Sequence, residues 1–217
     1  MSKISKQLLL LIIIFMNDAS IADNKISNLI TPVSYFIDHI KQLQSIKNNL
    51  DKYKMASLVG SSGMGKTQIA RMYAYENKDN YNLIWFFDCN LDLSLEFLKL
   101  AKIINNTFKA NISESPVLVK KEVMNYLANS DKWILIFDNL KIGDNDKVKD
   151  LVHWEHNGDV IFCSQDSEML PYTIKMTPFT QEDSMTLAKN LLNSKDVRDI
   201  EFFATEFRGY PVVIYPT

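Results

Sequence analysis

Residues 58–67, LVGSSGMGKT, constrain this chain more than any other stretch. Gly60, Gly65, Lys66 and Thr67 fill the pattern G-x-x-x-x-G-K-T/S, with Ser61, Ser62, Gly63 and Met64 among its variable places. An apolar run, MASLVG, comes before it and a helical pattern, KTQIARMYAYEN, after it. That strand–loop–helix context is what gives the motif its meaning. Glycines let the backbone wrap closely around an anion, and successive N–H groups point inward as a nest. The helix that starts here adds the positive end of its dipole. Residues 60–68, ending at Gln68, therefore read as a phosphate cradle. Lys66 is expected to reach the β- and γ-phosphates of a nucleotide, and the Thr67 hydroxyl to coordinate Mg²⁺. The alternative is a chance match, or a relic loop that no longer binds.

The rest of the chain supplies a matching scaffold. Apolar runs at MASLV, NLIWFFD, KWILIFD, DVIFCS and YTIKM read as five strands, with helical patterns between most of them. Strands that are apolar throughout belong to a parallel sheet covered on both faces. The expected fold class is thus α/β, a three-layer sandwich around a five-stranded parallel sheet. In the helix before the loop, Phe36, Ile40, Leu43, Ile46 and Leu50 recur at spacings of three and four. In SLEFLKLAKIINNTF the face assigned to the core is Leu95, Leu98, Ala101 or Lys102, and Phe108. Pro116 is placed in the first turn of another helix, where its missing N–H costs little. Thr180 and Asp183 read as a capping box. From there the pattern is all helical, the start of a small second unit. The expected division is 1–22, 23–178 and 179–217.

Residues 1–22 look like a targeting segment. Lys3 and Lys6 precede nine unbroken apolar residues, Leu8 to Met16, and Ser20 and Ala22 put small residues at −3 and −1 of a cut before Asp23. As a helix those nine residues span about 14 Å, short of a bilayer core of about 30 Å. A signal peptide is the first reading, a buried strand or helix the alternative; no stable membrane span is expected. The net charge of −2 argues against a general nucleic-acid binder. Cys89 and Cys163 end apolar runs and read as buried thiols. His153 and His156 in HWEH lack the third ligand that zinc requires.

A phosphate loop needs an acidic partner for its metal. WILIFDN provides Asp138 at the C-terminal end of a strand, the edge where open α/β sheets bind ligands. Thr67 and Asp138 are the candidate Mg²⁺ ligands. Asn139 follows, where a fast hydrolase would place a carboxylate; an amide orients water but cannot take its proton. No guanine reader appears: NKDN at 77–80 has its aspartate one place early and lies just after the first loop helix. No basic lid of a small-molecule kinase is visible.

The ordered set of landmarks resembles the NB-ARC domain of the STAND class of signalling NTPases, over roughly residues 33–214. YFIDHIKQLQSIKNNL resembles that family's lead-in helix, with His39 where arginine is usual. LVGSSGMGKTQIA resembles its Walker A, and WILIFDN its Walker B, with Asn139 in place of a common second aspartate. DVIFCSQD is similar to its sensor strand, with Gln165 in place of a γ-phosphate-reading arginine. RGYPVVI is similar to its G-x-P motif, which assigns Pro211 to the adenine. The resemblance implies strand order 5-1-4-3-2 and a switch that holds ADP and opens on exchange for ATP, with Mg²⁺. It allows protein partners or self-association. Asn139 and Gln165 imply slow or absent hydrolysis. The chain stops at Thr217 without the family's winged-helix unit, which reads as a fragment or a truncated product. The competing reading is a degraded phosphate-loop domain acting as a secreted or protein-interaction module. The signal-like segment favours export, nucleotide binding a cytosol.

Overall fold

The computed structural model of the protein describes residues 25–32, 40–141, 145–168, 170–192 and 196–206. The signal-like segment, Phe36, His39 and Pro211 lie outside the described residues. One parallel sheet runs through the molecule. Its strands are β1 (Ile26–Ser27), β2 (Met55–Val59), β3 (Leu83–Asp88), β4 (Trp133–Leu140), β5 (Asp159–Ser164) and β6 (Thr173–Lys175). They lie in the order β1-β3-β4-β5-β2-β6. Counted from Met55, the five expected strands stand in the expected order, 5-1-4-3-2.

The sixth strand, β1, corrects the expected count. It adds itself to the free edge of β3. Two residues are too few to show a period of two. The edge is held instead by Ile26 N–H donating to Asn82 O (2.9 Å) and by the side chain of Asn28. Asn28 Nδ2 donates to Phe86 O (2.9 Å), and Phe86 N–H donates to Asn28 Oδ1 (2.7 Å). The amide thus continues the ladder one step beyond the strand.

Alternation along β4 builds two cores at once. Trp133, Leu135 and Phe137 join one cluster, while Ile134 and Ile136 join the other. The first face is covered by α3 (Leu93–Phe108), α4 (Val119–Ala128) and α5 (Asn145–Val152), which contribute Phe97, Leu100, Val123, Leu127 and Leu151. The second is covered by α1 (Ile40–Tyr53) and α2 (Lys66–Glu76), through Ile46, Leu50, Ile69, Ala70 and Tyr73. Burying whole strands between two helical layers is what the apolar runs require.

Three helix details differ from expectation. In α1, Ile46 and Leu50 are buried, but Ile40 is 65% exposed. In α3 the core face is Phe97, Leu100, Ala101 and Ile104, and Leu95 is exposed. LSLEFLKLAKII carries two overlapping apolar stripes, and packing against the sheet selects the one with the phenylalanine. The helix assigned to Pro116 begins at Val119: residues 116–118 form a turn, and Leu118 and Val119 N–H groups both donate to Ser115 O (3.0 and 2.8 Å). Past the sheet, α6 (Gln181–Leu192) and α7 (Val197–Glu206) pack through Met185, Ala188, Ile200 and Ala204. The capping box is present: Asp183 N–H donates to Thr180 Oγ1 (3.1 Å), and Thr180 N–H to Asp183 Oδ2 (3.0 Å).

Candidate functional site

The loop after β2 owes its shape to glycine. A Cβ on Gly60 would meet Met176 Cβ at 2.8 Å and Met64 Sδ at 2.9 Å, so only glycine lets the chain leave the sheet here. Gly63 and Gly65 both have φ of 82°, and Gly65 caps α2 in the left-handed conformation. That region is cheap for glycine and costly for other residues. The result is a loop whose backbone curls over the N-terminus of α2. Lys66 ties it from within, its Nζ donating to Gly60 O (2.7 Å) and Ser61 O (2.9 Å). An ammonium has three donors, so it keeps capacity for an anion. Burial pulls its pKa below the ordinary value, against the opposing pull of Cys163 and Asp138.

Opposite the loop stands the end of β4. Thr67 Oγ1 donates to Asp138 Oδ1 at 3.0 Å, which brings the two candidate Mg²⁺ ligands together from residues far apart in the chain. Asp138 is 8% exposed. Burial pushes its pKa up, only partly offset by the Thr67 hydroxyl and the Asn139 N–H. A buried carboxylate in this condition favours a cation beside it. Asn139 departs from the regular strand: its φ is 62°, and the β4–β5 register shifts between Phe137 and Leu140. This is a β-bulge, a device that re-aims a side chain next to a site. Asparagine tolerates the left-handed conformation better than most residues.

A cleft of about 380 Å³ opens between these elements. Ser62, Gly63, Gly65, Lys66, Thr67 and Gln68 line one side; Asp138, Asn139 and Gln165 line the other. Gly60 and Ser61 lie behind the lining as acceptors for Lys66, and Met64 is buried in the core beneath. Gln68 Oε1 is a buried acceptor without a partner. The phosphate cradle and the paired hydroxyl and carboxylate fit a nucleotide with Mg²⁺. Among the described residues there is no group of three or more His, Cys, Asp or Glu able to hold a metal. Mg²⁺ does not need one, because it binds through one or two protein ligands plus substrate phosphates and water.

Several cleft residues escape sequence reasoning. Lys141 brings a cation to the wall, and Asn90 reaches it from the turn after β3. Cys163, fully buried, also lines it, and burial drives its thiol pKa well up. Behind Asn139 stands Asp88. Asn139 Nδ2 donates to Asp88 Oδ1 at 3.0 Å, as do Asn90 N–H (3.0 Å) and Asn90 Nδ2 (3.1 Å). Burial raises the Asp88 pKa, but these bonds outweigh it and hold it below the ordinary value. The signal for Asp88 is pairing, since β3 and β4 place it opposite Asp138. No single stretch of sequence displays that. His156, the end of the HWEH segment, packs beside Trp133 and Trp154, and its Nδ1 lies 2.8 Å from Gly158 O.

No protein-family model matches the sequence, and no curated protein matches it. Solved structures do. A Signal Transduction ATPase with Numerous Domains (STAND) protein with a tetratricopeptide repeat sensor, from Pyrococcus horikoshii, superposes with a TM-score of 0.58 at 16% identity. The alignment covers 90% of this chain and 31% of that one. A Walker-type ATPase of Pyrococcus abyssi gives 0.56 at 16% identity, covering 83% and 66%. Domain III of the replication initiation protein DnaA from Thermotoga maritima gives 0.54 at 16% identity, covering 83% and 82%. The likeness is one of fold: the chain has the P-loop NTPase three-layer sandwich. It spans under a third of the Pyrococcus horikoshii protein. No described helix is long and apolar enough to cross a membrane.

Proposed function

We propose that this domain holds an adenine nucleotide, ADP or ATP, with Mg²⁺, and acts as a nucleotide-binding switch of the NB-ARC kind with slow hydrolysis. The observation that carries the reading is the convergence of Lys66, Thr67 and Asp138 on one cleft, with Thr67 Oγ1 and Asp138 Oδ1 3.0 Å apart. The loop N–H groups and the N-terminus of α2 receive phosphate oxygens. Lys66 carries the cation to them. Thr67 and Asp138 hold Mg²⁺, which when bound neutralises phosphate charge. Pro211 is assigned to the adenine on the family resemblance alone. Residues 1–22 as a removable export signal, 23–178 as the nucleotide-binding unit and 179–217 as part of a helical unit complete the proposal.

Slow turnover follows from the rim. Asn139 presents an amide where proton acceptance would speed attack by water, and Gln165 presents no charge. Hydrolysis slower than about 1 s⁻¹, the low end of ordinary enzyme rates, is expected. The test is the affinity for ADP and ATP with Mg²⁺, measured on the full chain and on Lys66→Ala, together with the steady-state hydrolysis rate. Binding lost in the variant supports the reading. Equal binding by both proteins, or none by either, leaves the interaction-module alternative standing.

A further inference from the structure

We infer that Asp88 is a positioning residue for hydrolysis, acting through Asn139. The inference rests on the nucleotide-binding reading above. The feature behind it is a pair of residues from neighbouring strands. β3 and β4 end in register, with Asp88 opposite Asp138. One residue on, the bulge turns Asn139 out of the strand and over the end of β3. There its Nδ2 donates to Asp88 Oδ1 at 3.0 Å.

The chemistry of that bond decides which way the amide faces. An ionised carboxylate only accepts hydrogen bonds, while a carboxamide has a donating and an accepting end. Asp88 therefore selects the NH₂ end of Asn139 and leaves the amide oxygen for the cleft that Asn139 lines. Two further donors, the backbone and side-chain nitrogens of Asn90, fix the carboxylate itself. Asp88 stands behind the lining, so it acts on Asn139 and does not touch substrate. The amide oxygen accepts a hydrogen bond from a water facing the γ-phosphate. In the reaction the water oxygen bonds to the γ-phosphorus, and the bond from that phosphorus to the β–γ bridging oxygen breaks. The electron pair leaves with ADP. The water proton passes to solvent, since an amide does not take it. The carboxylate missing at position 139 is thus present one strand away, and it orients the water through an intermediary. Hydrolysis is slow because neither residue of the pair accepts the proton.

The test uses the full chain. Single-turnover ATP hydrolysis, ATP affinity and the side-chain amide NMR signal of Asn139 are measured for wild type, Asp88→Asn, Asp88→Ala, Asn139→Ala, the double alanine variant and Asp88→Asn with Asn139→Asp. Loss of orientation costs roughly ten- to a hundred-fold in the hydrolysis step, with ATP affinity within about twofold because the cradle is untouched. The double alanine variant is no slower than the slower single variant, as expected of residues that work as a unit. The exchanged pair, with amide at 88 and carboxylate at 139, hydrolyses at least as fast as wild type. In wild type without nucleotide, one Asn139 Nδ2 proton exchanges slowly, and Asp88→Ala removes that protection. Wild-type hydrolysis in Asp88→Ala, additive losses in the double variant, or a loss confined to affinity each overturns the inference. If the chain binds no ATP, the nucleotide reading fails first. The Asn139 signal then separately reports whether the pair exists.

Discussion

The two walls of the cleft are built differently. The loop wall is backbone: glycines at 60, 63 and 65, carbonyls that hold Lys66, and N–H groups at the start of α2. The rim wall is side chain: Asp138, Asn139, Lys141 and Gln165, backed by Asp88 and Asn90. A backbone site depends on a few glycines at fixed spacing and on one helix start. A side-chain site can exchange its groups between strands as long as they meet in space. The loop wall keeps the whole G-x-x-x-x-G-K-T pattern here, while the rim carries uncharged amides at 139 and 165.

The largest expected effect breaks the loop wall alone. Lys66→Ala removes charge-assisted contacts worth about 1.5–3 kcal/mol each. Nucleotide affinity should fall roughly ten- to a hundred-fold by titration calorimetry, with the fold kept by circular dichroism. An affinity loss under twofold would place the binding energy elsewhere. Next is Gly60→Ala. Its new Cβ meets Met176 Cβ, which moves only with its backbone. Overpacking of this kind costs about 1–3 kcal/mol, visible as a lowered denaturant midpoint with an unchanged slope. An unchanged midpoint would mean the loop is less tightly seated on Met176 than the 2.8 Å approach requires.

Asp138→Asn sharpens the comparison, because it separates stability from binding. The folded Asp138 pKa lies above its ordinary value of 3.8. A carboxyl raised in the folded state contributes stability below its unfolded pKa and loses it as pH rises through the folded one. In nucleotide-free protein, wild type should thus lose stability with rising pH across that window, and Asp138→Asn should not. The asparagine oxygen still accepts from Thr67 and from Asn139 N–H. Thermal melts at neutral pH should show the variant at least as stable as wild type, yet without Mg²⁺-dependent stabilisation by nucleotide. A destabilised variant would reverse the sign argued here. The smallest effect is at the rim: Lys141→Ala should weaken ATP binding by no more than about fivefold, within the range of exposed charge pairs. The difference should shrink at high salt, as screening requires.

The sheet was legible from sequence because each long strand is largely apolar on both faces and most are followed by a helical pattern. What escaped was decided by contacts across the chain. β1 is too short to show a period of its own, and the Ile26 N–H bond to Asn82 O and the Asn28 bridge to Phe86 hold it to the edge. The face of α3 was ambiguous until the sheet chose Phe97 over Leu95. In the site, the loop was readable residue by residue, and Asp138 by its place at a strand end. Asp88 was not, since an aspartate closing FFDCN looks like any solvated strand end. Its register opposite Asp138 and the bulge at Asn139 give it a partner on the next strand. Asn139 and Gln165 both line the cleft.

The central claim is that the loop wall holds an adenine nucleotide. Its most direct measurement is the melting temperature of the full chain with and without ADP, ATP and Mg²⁺, beside Lys66→Ala. A ligand at a hundred times its Kd stabilises by about 2.7 kcal/mol. For a chain of this size that raises Tm by about 5–10 °C. The account predicts that rise in wild type and a much smaller one in Lys66→Ala at the same nucleotide concentration. No shift in wild type at millimolar nucleotide, or an equal shift in both proteins, would contradict it.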